Sequence, residues 1–587
     1  MAHDKVSRRA FLTTGAAGAM SVSTCGDDQP AGDAPGEPRA AAAPPRAAYR
    51  PSVRFAHGVA SGDPLQDRVI LWTRVTPHTR GAIVVDWAIA ADEAFSTIVQ
   101  DGSVVTDASL DYTVKVDAEG LAPGTAYYYR FQVGATVSRI GRTKTLPAGP
   151  VARARIAVVS CASHPSGYFN VYEDLSRRDD VDVIVHMGDY IYEYGLGGYG
   201  TRNAINLIRV PQPNHETVSL PDYRMRHAQY KGDPQLQEAH ARHPFIPVWD
   251  DHEIADDAWI GGAYNHQADY EAPWTEREAH AIKAYYEWMP IRNPGPGRSR
   301  LEIYRAFTFG DLASLFMLET RLSGRSKPLR YETDLPYLSL PFDFSNPEDP
   351  RILDTGSRRP VLPGTIKYLP VPFDMRGGAP IPVTDHAQIA DWDGQLPEGF
   401  SYIPDTDAFR ARLDDETRMM IAPAQESWLK AGLEASKADG VRWQLIGTQC
   451  LVSTITVTDF TPVLPAESVA RLGQTARFMQ TMHDSGLPAT LDSWQGYGAA
   501  QKRLLDLVAE HTDNCVFLAG DSHAAWALEL GTDRADGPVA VEFGTPSVSS
   551  PTIAESLGAR RNTLTKPLFQ KNPHVRFCNM DDHGYLI

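Results

Sequence analysis

From about Val53 to Pro147, short runs of β-branched and aromatic residues alternate with turn residues, as in Val69-Ile70-Leu71-Trp72-Thr73, Val84-Val85-Asp86-Trp87 and Tyr127-Tyr128-Tyr129-Arg130-Phe131. This pattern predicts an all-β sandwich over residues 50–148. After Ala148 apolar runs alternate with helical patterns, which predicts an α/β domain over 149–587. Thr275-Glu276-Arg277-Glu278 reads as a capping box, and Ala281, Tyr285 and Trp288 recur on one face until Pro290 stops the helix. A second helical pattern starts at Gln501 and ends near His511, leading into a buried strand. Between Thr333 and Ser401 a stretch rich in Pro, Gly and Asp lacks periodicity. It is expected to cross one face of the domain and shape the mouth of a pocket.

The amino-terminal residues follow neither pattern. Ser7-Arg8-Arg9-Ala10-Phe11-Leu12, followed by small and apolar residues through Met20, has the arrangement of a twin-arginine export signal. Residues 1–25 are therefore expected to be handled by the twin-arginine translocase. Cys25, in Val22-Ser23-Thr24-Cys25-Gly26, resembles a lipoprotein acylation site, so a lipid-anchored form and a free form both stay open. Residues 26–49 hold much Ala, Pro and Gly without bulky apolar side chains to offset the entropy of ordering, and read as a disordered tether. The expected location is periplasmic or extracellular.

The composition, 42% hydrophobic and 22% charged, is that of a soluble globular protein, and no apolar run reaches the roughly 20 residues of a transmembrane span. A net charge of −17 opposes binding to a polyanion, so no nucleic-acid partner is expected. Cys25, Cys161, Cys450, Cys515 and Cys578 show no framework spacing, which leaves at least one thiol for a role other than a disulfide.

Four apolar runs end in residues that can bind a metal or touch phosphate. Ile156-Ala157-Val158-Val159 runs into Ser160-Cys161, and Val183-Ile184-Val185-His186-Met187 into Gly188-Asp189-Tyr190-Ile191-Tyr192. Phe245-Ile246-Pro247-Val248 runs into Trp249-Asp250-Asp251-His252-Glu253, and Val516-Phe517-Leu518-Ala519 into Gly520-Asp521-Ser522-His523. In α/β sheets ligands sit beyond the carboxyl ends of the strands, so four such loops converge. Alone, a Gly-Asp after a strand is more often a turn, Cys161 a buried apolar filler and Tyr192 a packed aromatic. Four together favour a metal-assisted reaction on phosphate, where cations neutralise equatorial oxygens and supply hydroxide at neutral pH. Arg224, Arg226 and Arg321 are candidates to grip phosphate, each with a surface ion pair as the alternative. Asp256 reads equally as a calcium ligand or a helix start.

These loops resemble those of the calcineurin-like metallophosphoesterases, and their substitutions resemble the PhoD-like alkaline phosphatases. The Gly188-Asp189-x-x-Tyr192 spacing is also similar to purple acid phosphatases. Further matches are Phe55-Ala56-His57-Gly58-Val59-Ala60-Ser61-Gly62-Asp63-Pro64, Tyr223-Arg224-Met225-Arg226, Asp492-Ser493-Trp494-Gln495-Gly496-Tyr497 and Gly544-Thr545-Pro546-Ser547. The resemblance implies a metallophosphoesterase-type αββα sandwich preceded by a fibronectin- or immunoglobulin-like β-sandwich. It implies Fe3+ held by Cys161, Asp189, Tyr192 and His523, with Asp189 bridging to Ca2+ held also by Asp251 and Asp521. His252 would face the ester and protonate or stabilise the leaving oxygen, and Arg224 and Arg321 would contact substrate. Two departures, Asp256-Asp257 in place of a pair with Asn and Gln495 in place of Asp, bear on calcium number or substrate preference.

The implied activity is hydrolysis of phosphate mono- and diesters, on small molecules or phospholipid head groups, by metal-activated hydroxide. Alternatives are a phospholipase D-like phosphodiesterase on the same scaffold, and a surface-anchored binding protein with a vestigial metal site.

Overall fold

Strands buried on both faces are continuously apolar, and two sheets built largely from such strands form the centre of the protein. The computed structural model describes residues 52–78, 80–353, 364–393, 395–532 and 537–587. The export signal, Cys25 and the tether expected over 1–49 lie outside the described residues. Tyr49–Ile587 clusters as one unit.

The first sheet has six strands in the order Ile156–Val159, Val183–His186, Pro244–Pro247, Val59–Gly62, Val69–Arg74 and Thr113–Ala118. The first four run parallel and the last two pair antiparallel. The second sheet has seven strands, and four of them, Ala313–Met317, Trp443–Thr448, Cys515–Ala519 and Pro538–Gly544, form its parallel centre. Side-chain alternation decides what each face meets. Leu315, Met317, Val516 and Leu518 share a core with Ala157, Val183, Val185 and Ile246 of the first sheet. Phe316, Leu318, Cys515 and Phe517 point the other way, against Leu429 and Leu433 of the helix Pro423–Ala438 and Leu504 and Val508 of the helix Gly498–His511. Tyr223, Tyr230, Ala281 and Tyr285, from the helices Leu220–Lys231 and Trp274–Trp288, pack into the core of the first sheet. Among the described residues no helix is long and apolar enough to cross a membrane.

The amino-terminal β-sandwich is present. One of its layers is the antiparallel sheet Gly141–Lys144, Ala126–Val133, Ile83–Ala90 and Ile98–Thr106. Val85, Ile89, Tyr129 and Phe131 of this layer pack against Val69, Leu71, Val114 and Val116, which belong to the six-stranded sheet. Hydrogen bonding is thus continuous from the sandwich into the α/β region. Tyr127 closes a corner at the start of Ala126–Val133, its Oη accepting from the Ala122 amide at 2.9 Å.

Two local expectations differ from the structure. The helix starts at Trp274, with Pro273 as its cap and no side-chain cap bond, so Thr275 lies inside the first turn and no capping box forms. Proline's fixed φ already sets the entry angle. The aperiodic stretch after Thr333 contains two three-stranded antiparallel sheets, Ser339–Asp343 with Arg351–Ile352 and Ile366–Pro370, and Pro372–Asp374 with Ile381–Pro382 and Phe400–Tyr402. Strands of two to five residues carry too few alternations to show a period.

Asp63, buried just after Val59–Gly62, ties the junction together. It accepts from Arg305 Nη2 at 2.7 Å and from the Arg292 amide at 2.8 Å, while Arg292 grips Asp117 with two bonds of 2.8 Å. Asp63→Ala strands Arg305 beside the core and is expected to cost about 3 kcal/mol in denaturant unfolding; a loss below about 0.5 kcal/mol would show that the clamp is dispensable.

Candidate metal centre

Three parallel strands, Ile156–Val159, Val183–His186 and Pro244–Pro247, end side by side, and Cys515–Ala519 ends across from them in the second sheet. Beyond these ends the backbone turns sharply. Cys161, Asp189, Asp521 and His523 all adopt left-handed φ, between 55° and 61°. Each such residue costs of order 1 kcal/mol and persists only where the surroundings over-determine it. Gly188, at φ 109°, passes so close to the third loop that a Cβ there would lie 2.4 Å from the Asp250 Cβ. The loops also bond to one another. The Cys161 amide donates to the Gly188 carbonyl at 3.2 Å and the Ala162 amide to that of Asp189 at 2.8 Å. The Glu253 carboxylate accepts from the amides of Asp189, Tyr190 and Asp250, which fastens the second loop to the third.

Donor atoms of Cys161, Asp189 and His523 lie within 4.8 Å of one another, as do those of Asp189, Asp251 and His252 and those of Asp250, Asp251 and Asp521. A further group joins Asp251 to Asp257 and Asp492. Tyr192 Oη donates to Asp189 Oδ2 at 2.9 Å, accepts from Ser550 Oγ at 2.7 Å and lies 3.5 Å from His523 Nε2. His523 donates through Nδ1 to the Pro551 carbonyl at 2.9 Å, which leaves Nε2 directed at the cluster, the arrangement typical of a metal-binding imidazole. Asp189 Oδ1, Asp250 Oδ2 and Asp251 Oδ1 are buried without a hydrogen-bond partner among the described residues. Buried carboxylate oxygens without donors are costly, so this donor set fits cations: hard ones at the aspartates, iron where thiol, phenol and imidazole meet.

Arg321 is the buried counter-charge. Its Nε bonds Asp250 and its Nη1 bonds Asp492, while Nη2 lies 3.6 Å from Asp251 Oδ1 and 3.8 Å from Asp521 Oδ1. Arg325, also buried, bonds Asp492 as well, and the two guanidinia do not balance the acids around them. Burial, aided by carboxylate neighbours, pushes Asp250 up to about 8, Asp521 to about 7 and Asp257 to about 9, and raises Asp189 well above the carboxylate range. Burial acts on Asp251 too, but Arg321, His252 and the Asp257 amide outweigh it and hold this carboxyl at about 2. Burial and the charge of Asp189 raise the Cys161 thiol and the Tyr192 phenol. His252 goes up despite burial, because Asp189, Glu193 and Asp251 favour its protonated form. Its Nδ1 bonds Glu193 Oε2 at 2.8 Å, and Glu193 is itself fixed by the Asp256 amide and Asn265 Nδ2.

Cys161, Asp189, Tyr192, Asp251, His252, Asp521 and His523, singled out from the sequence, thus stand together, with Arg321 beneath them. Arg224 is not brought into this group: it forms a two-bond pair of 2.7 Å contacts with Glu287 and donates to the Ser109 carbonyl. Arg226 is buried and spends its donors on the backbone carbonyls of Tyr192, Gln212 and Pro213. Asp256 Oδ1 lies 3.8 Å from His252 Nε2. Sequence reasoning did not assign Asp250, Asp257, Asp492, Glu193 or Glu253. Asp250 and Glu253 lay inside a quoted motif, but nothing in the spacing marks Glu193 as the partner of His252.

Comparison with known proteins agrees across almost the whole chain. Residues 156–587 match the family model of the PhoD-like phosphatase, and residues 40–147 match that of the PhoD-like phosphatase N-terminal domain. Alkaline phosphatase D of Bacillus subtilis (strain 168) is 30% identical over 546 residues, covering 91% of this chain and 75% of that protein. A solved structure of PhoD superposes with a TM-score of 0.66 at 28% identity, covering 92% of this chain and 85% of that one.

The raised carboxyls set the sign of a pH effect. In chelator-treated protein the native state holds protons on Asp250, Asp257 and Asp521 that the unfolded chain has already lost, so stability falls as pH rises from the ordinary carboxylate range through about 9. Cations that displace these protons reverse the trend. The melting-temperature gap between ion-loaded and chelated protein is expected to widen from pH 5 to about pH 9; a gap that stays constant would contradict the crowding of acids described above.

Proposed function

The chain belongs to the PhoD-like phosphatase family, and we propose that it is an exported alkaline phosphatase that hydrolyses phosphate mono- and diesters at an Fe3+/Ca2+ centre. The observation that carries this reading is that Asp189 is grouped with Cys161 and His523 on one side and with Asp251 on the other, Asp251 being grouped in turn with Asp521. Cys161, Asp189, Tyr192 and His523 would hold Fe3+, and Asp251 and Asp521, with Asp189 between, would hold Ca2+. When bound, such ions neutralise phosphoryl oxygens and supply a nucleophilic hydroxide at neutral pH. The two face-to-face sheets with helices packed against each support a metallophosphoesterase-type αββα sandwich.

The protein's own groups do the remaining work. Glu193 holds His252 Nδ1–H and favours the imidazolium, so the ring presents a second N–H at Nε2. That N–H donates to the leaving oxygen as the ester bond breaks. The Tyr192 ring packs against the His252 ring, their centroids 4.3 Å apart. Arg321, tied to Asp250 and Asp492, acts on the ester through the carboxylates it orients.

A second reading, a phospholipase D-like phosphodiesterase acting on head groups, draws support from a groove of about 930 Å³ that begins at Tyr199 and Pro551, residues in contact with His523, and gives room for a second ester substituent. The retained donor set speaks against a binding protein with a vestigial site. Export rests on Ser7–Leu12, with Cys25 as the anchor of a lipidated form.

Elemental analysis of purified protein is expected to find iron together with calcium. Cys161→Ala and Tyr192→Phe should each lower iron content and reduce activity by about 100-fold or more, and Tyr192→Phe should also bleach a visible phenolate-to-iron absorption. Full iron and activity in Cys161→Ala would overturn the assignment. For His252→Asn, hydrolysis of alkyl phosphates is expected to slow by about 10²–10⁴-fold and that of nitrophenyl phosphate far less; equal losses on both would remove the acid role.

A further inference from the structure

Beside the acid cluster lies a cavity of about 500 Å³ with Asp257 in its wall. Asp257 is also grouped with Asp251 and Asp492, so the cavity and the candidate metal centre share a residue. Lys327, Arg330 and Arg418 line this cavity. We propose that it is a subsite for a second anionic group carried by the ester being hydrolysed. The inference rests on the phosphoesterase reading above and adds a substrate class to it.

The three cations are supported in an unusual way. Among the described residues none of them has an ion-pair partner, although the chain carries a net charge of −17. Each is instead backed by an aromatic ring. Lys327 Nζ lies 5.5 Å from the Trp259 ring, Arg330 Cζ lies 3.5 Å over Tyr264, and Arg418 Cζ lies 4.7 Å over Tyr497. An aromatic face holds a cation in place without neutralising it, so the positive potential stays available inside the concavity. Arg418 is further fixed by donating to the carbonyls of Lys327 and Gly496, and its Nε is buried with no partner.

The nearby acids, Asp257 and Glu332 toward Arg330 and Asp415 and Asp334 toward Arg418, act from beyond ion-pair distance. Asp334 accepts from the Arg330 amide at 2.8 Å and from Thr333 Oγ1 at 3.0 Å, which spends its carboxylate on the local turn. Asp257 faces Asp251 and Asp492. Guanidinium forks and an ammonium suit phosphate or carboxylate, while Trp259, Tyr264 and Leu329 offer apolar surface to a carbon chain. The subsite therefore selects phosphate esters whose alcohol ends in a second phosphate or carboxylate.

The test uses metal-loaded, full-length protein and two series of substrates, alkanediol bisphosphates from ethanediol to hexanediol and the matching monoalkyl phosphates. At one or more spacer lengths the bisphosphate should be favoured by about tenfold or more in kcat/KM, chiefly through KM, and rising ionic strength should narrow the preference. Lys327→Gln combined with Arg330→Gln should bring the two series to within about twofold while kcat on monoalkyl phosphates stays unchanged, which also reports an intact fold. A wild-type enzyme that hydrolyses monoalkyl phosphates but shows no preference at any spacer, or a preference that survives the double substitution, would overturn the subsite alone. Hydrolysis of neither series would remove the phosphoesterase reading and the subsite together.

Discussion

Crowding of carboxylates around two buried arginines, Arg321 and Arg325, governs the centre of this protein. Asp189, Asp250, Asp251, Asp257, Asp492 and Asp521 gather where strands from both sheets end, and Arg321 is the interior cation that reaches four of them. Two guanidinia cannot compensate that many desolvated acids. The excess negative charge gives the site its affinity for cations and holds His252 in its protonated form.

The backbone pays for this arrangement in local strain, and neighbouring structure absorbs it. Cys161, Asp189, Asp521 and His523 sit in left-handed conformations in the loops just beyond their strands. Glu253 gathers three amides from two loops, and Gly188 allows the close approach that a side chain would block. The strands beneath are fully buried in a core common to both sheets, so the loops are anchored to rigid elements.

The amino-terminal sandwich is part of the same framework. Its strands Val59–Gly62, Val69–Arg74 and Thr113–Ala118 continue the sheet whose parallel end carries Cys161, Asp189 and Asp251, and Arg292 and Arg305 meet at Asp63 across the junction. A shift of the sandwich would therefore be felt along the ladder that positions the candidate site. The cationic cavity adjoins the acid cluster at Asp257, and in it Lys327, Arg330 and Arg418 rest on aromatic rings.

The sequence by itself determined much of this. Unbroken apolar runs disclosed the buried strands, and the residues just beyond them disclosed Cys161, Asp189, Tyr192, Asp251, His252, Asp521 and His523, because strand ends in an α/β sheet must face a common crevice. Tertiary structure alone decided the rest, since those contacts join residues distant along the chain. Glu193 reaches His252 across 59 positions and Arg321 reaches Asp492 across 171, separations at which spacing carries no signal. The same holds for Arg224, which sits in a matched motif yet is paired with Glu287, 63 positions away, whereas the capping box at Thr275 failed for a local reason, Pro273 holding the cap position. Local pattern fixes what an element is and where it ends; which charges then meet depends on how the sheets pack, because side-chain pairing is a property of the folded surface and not of the string.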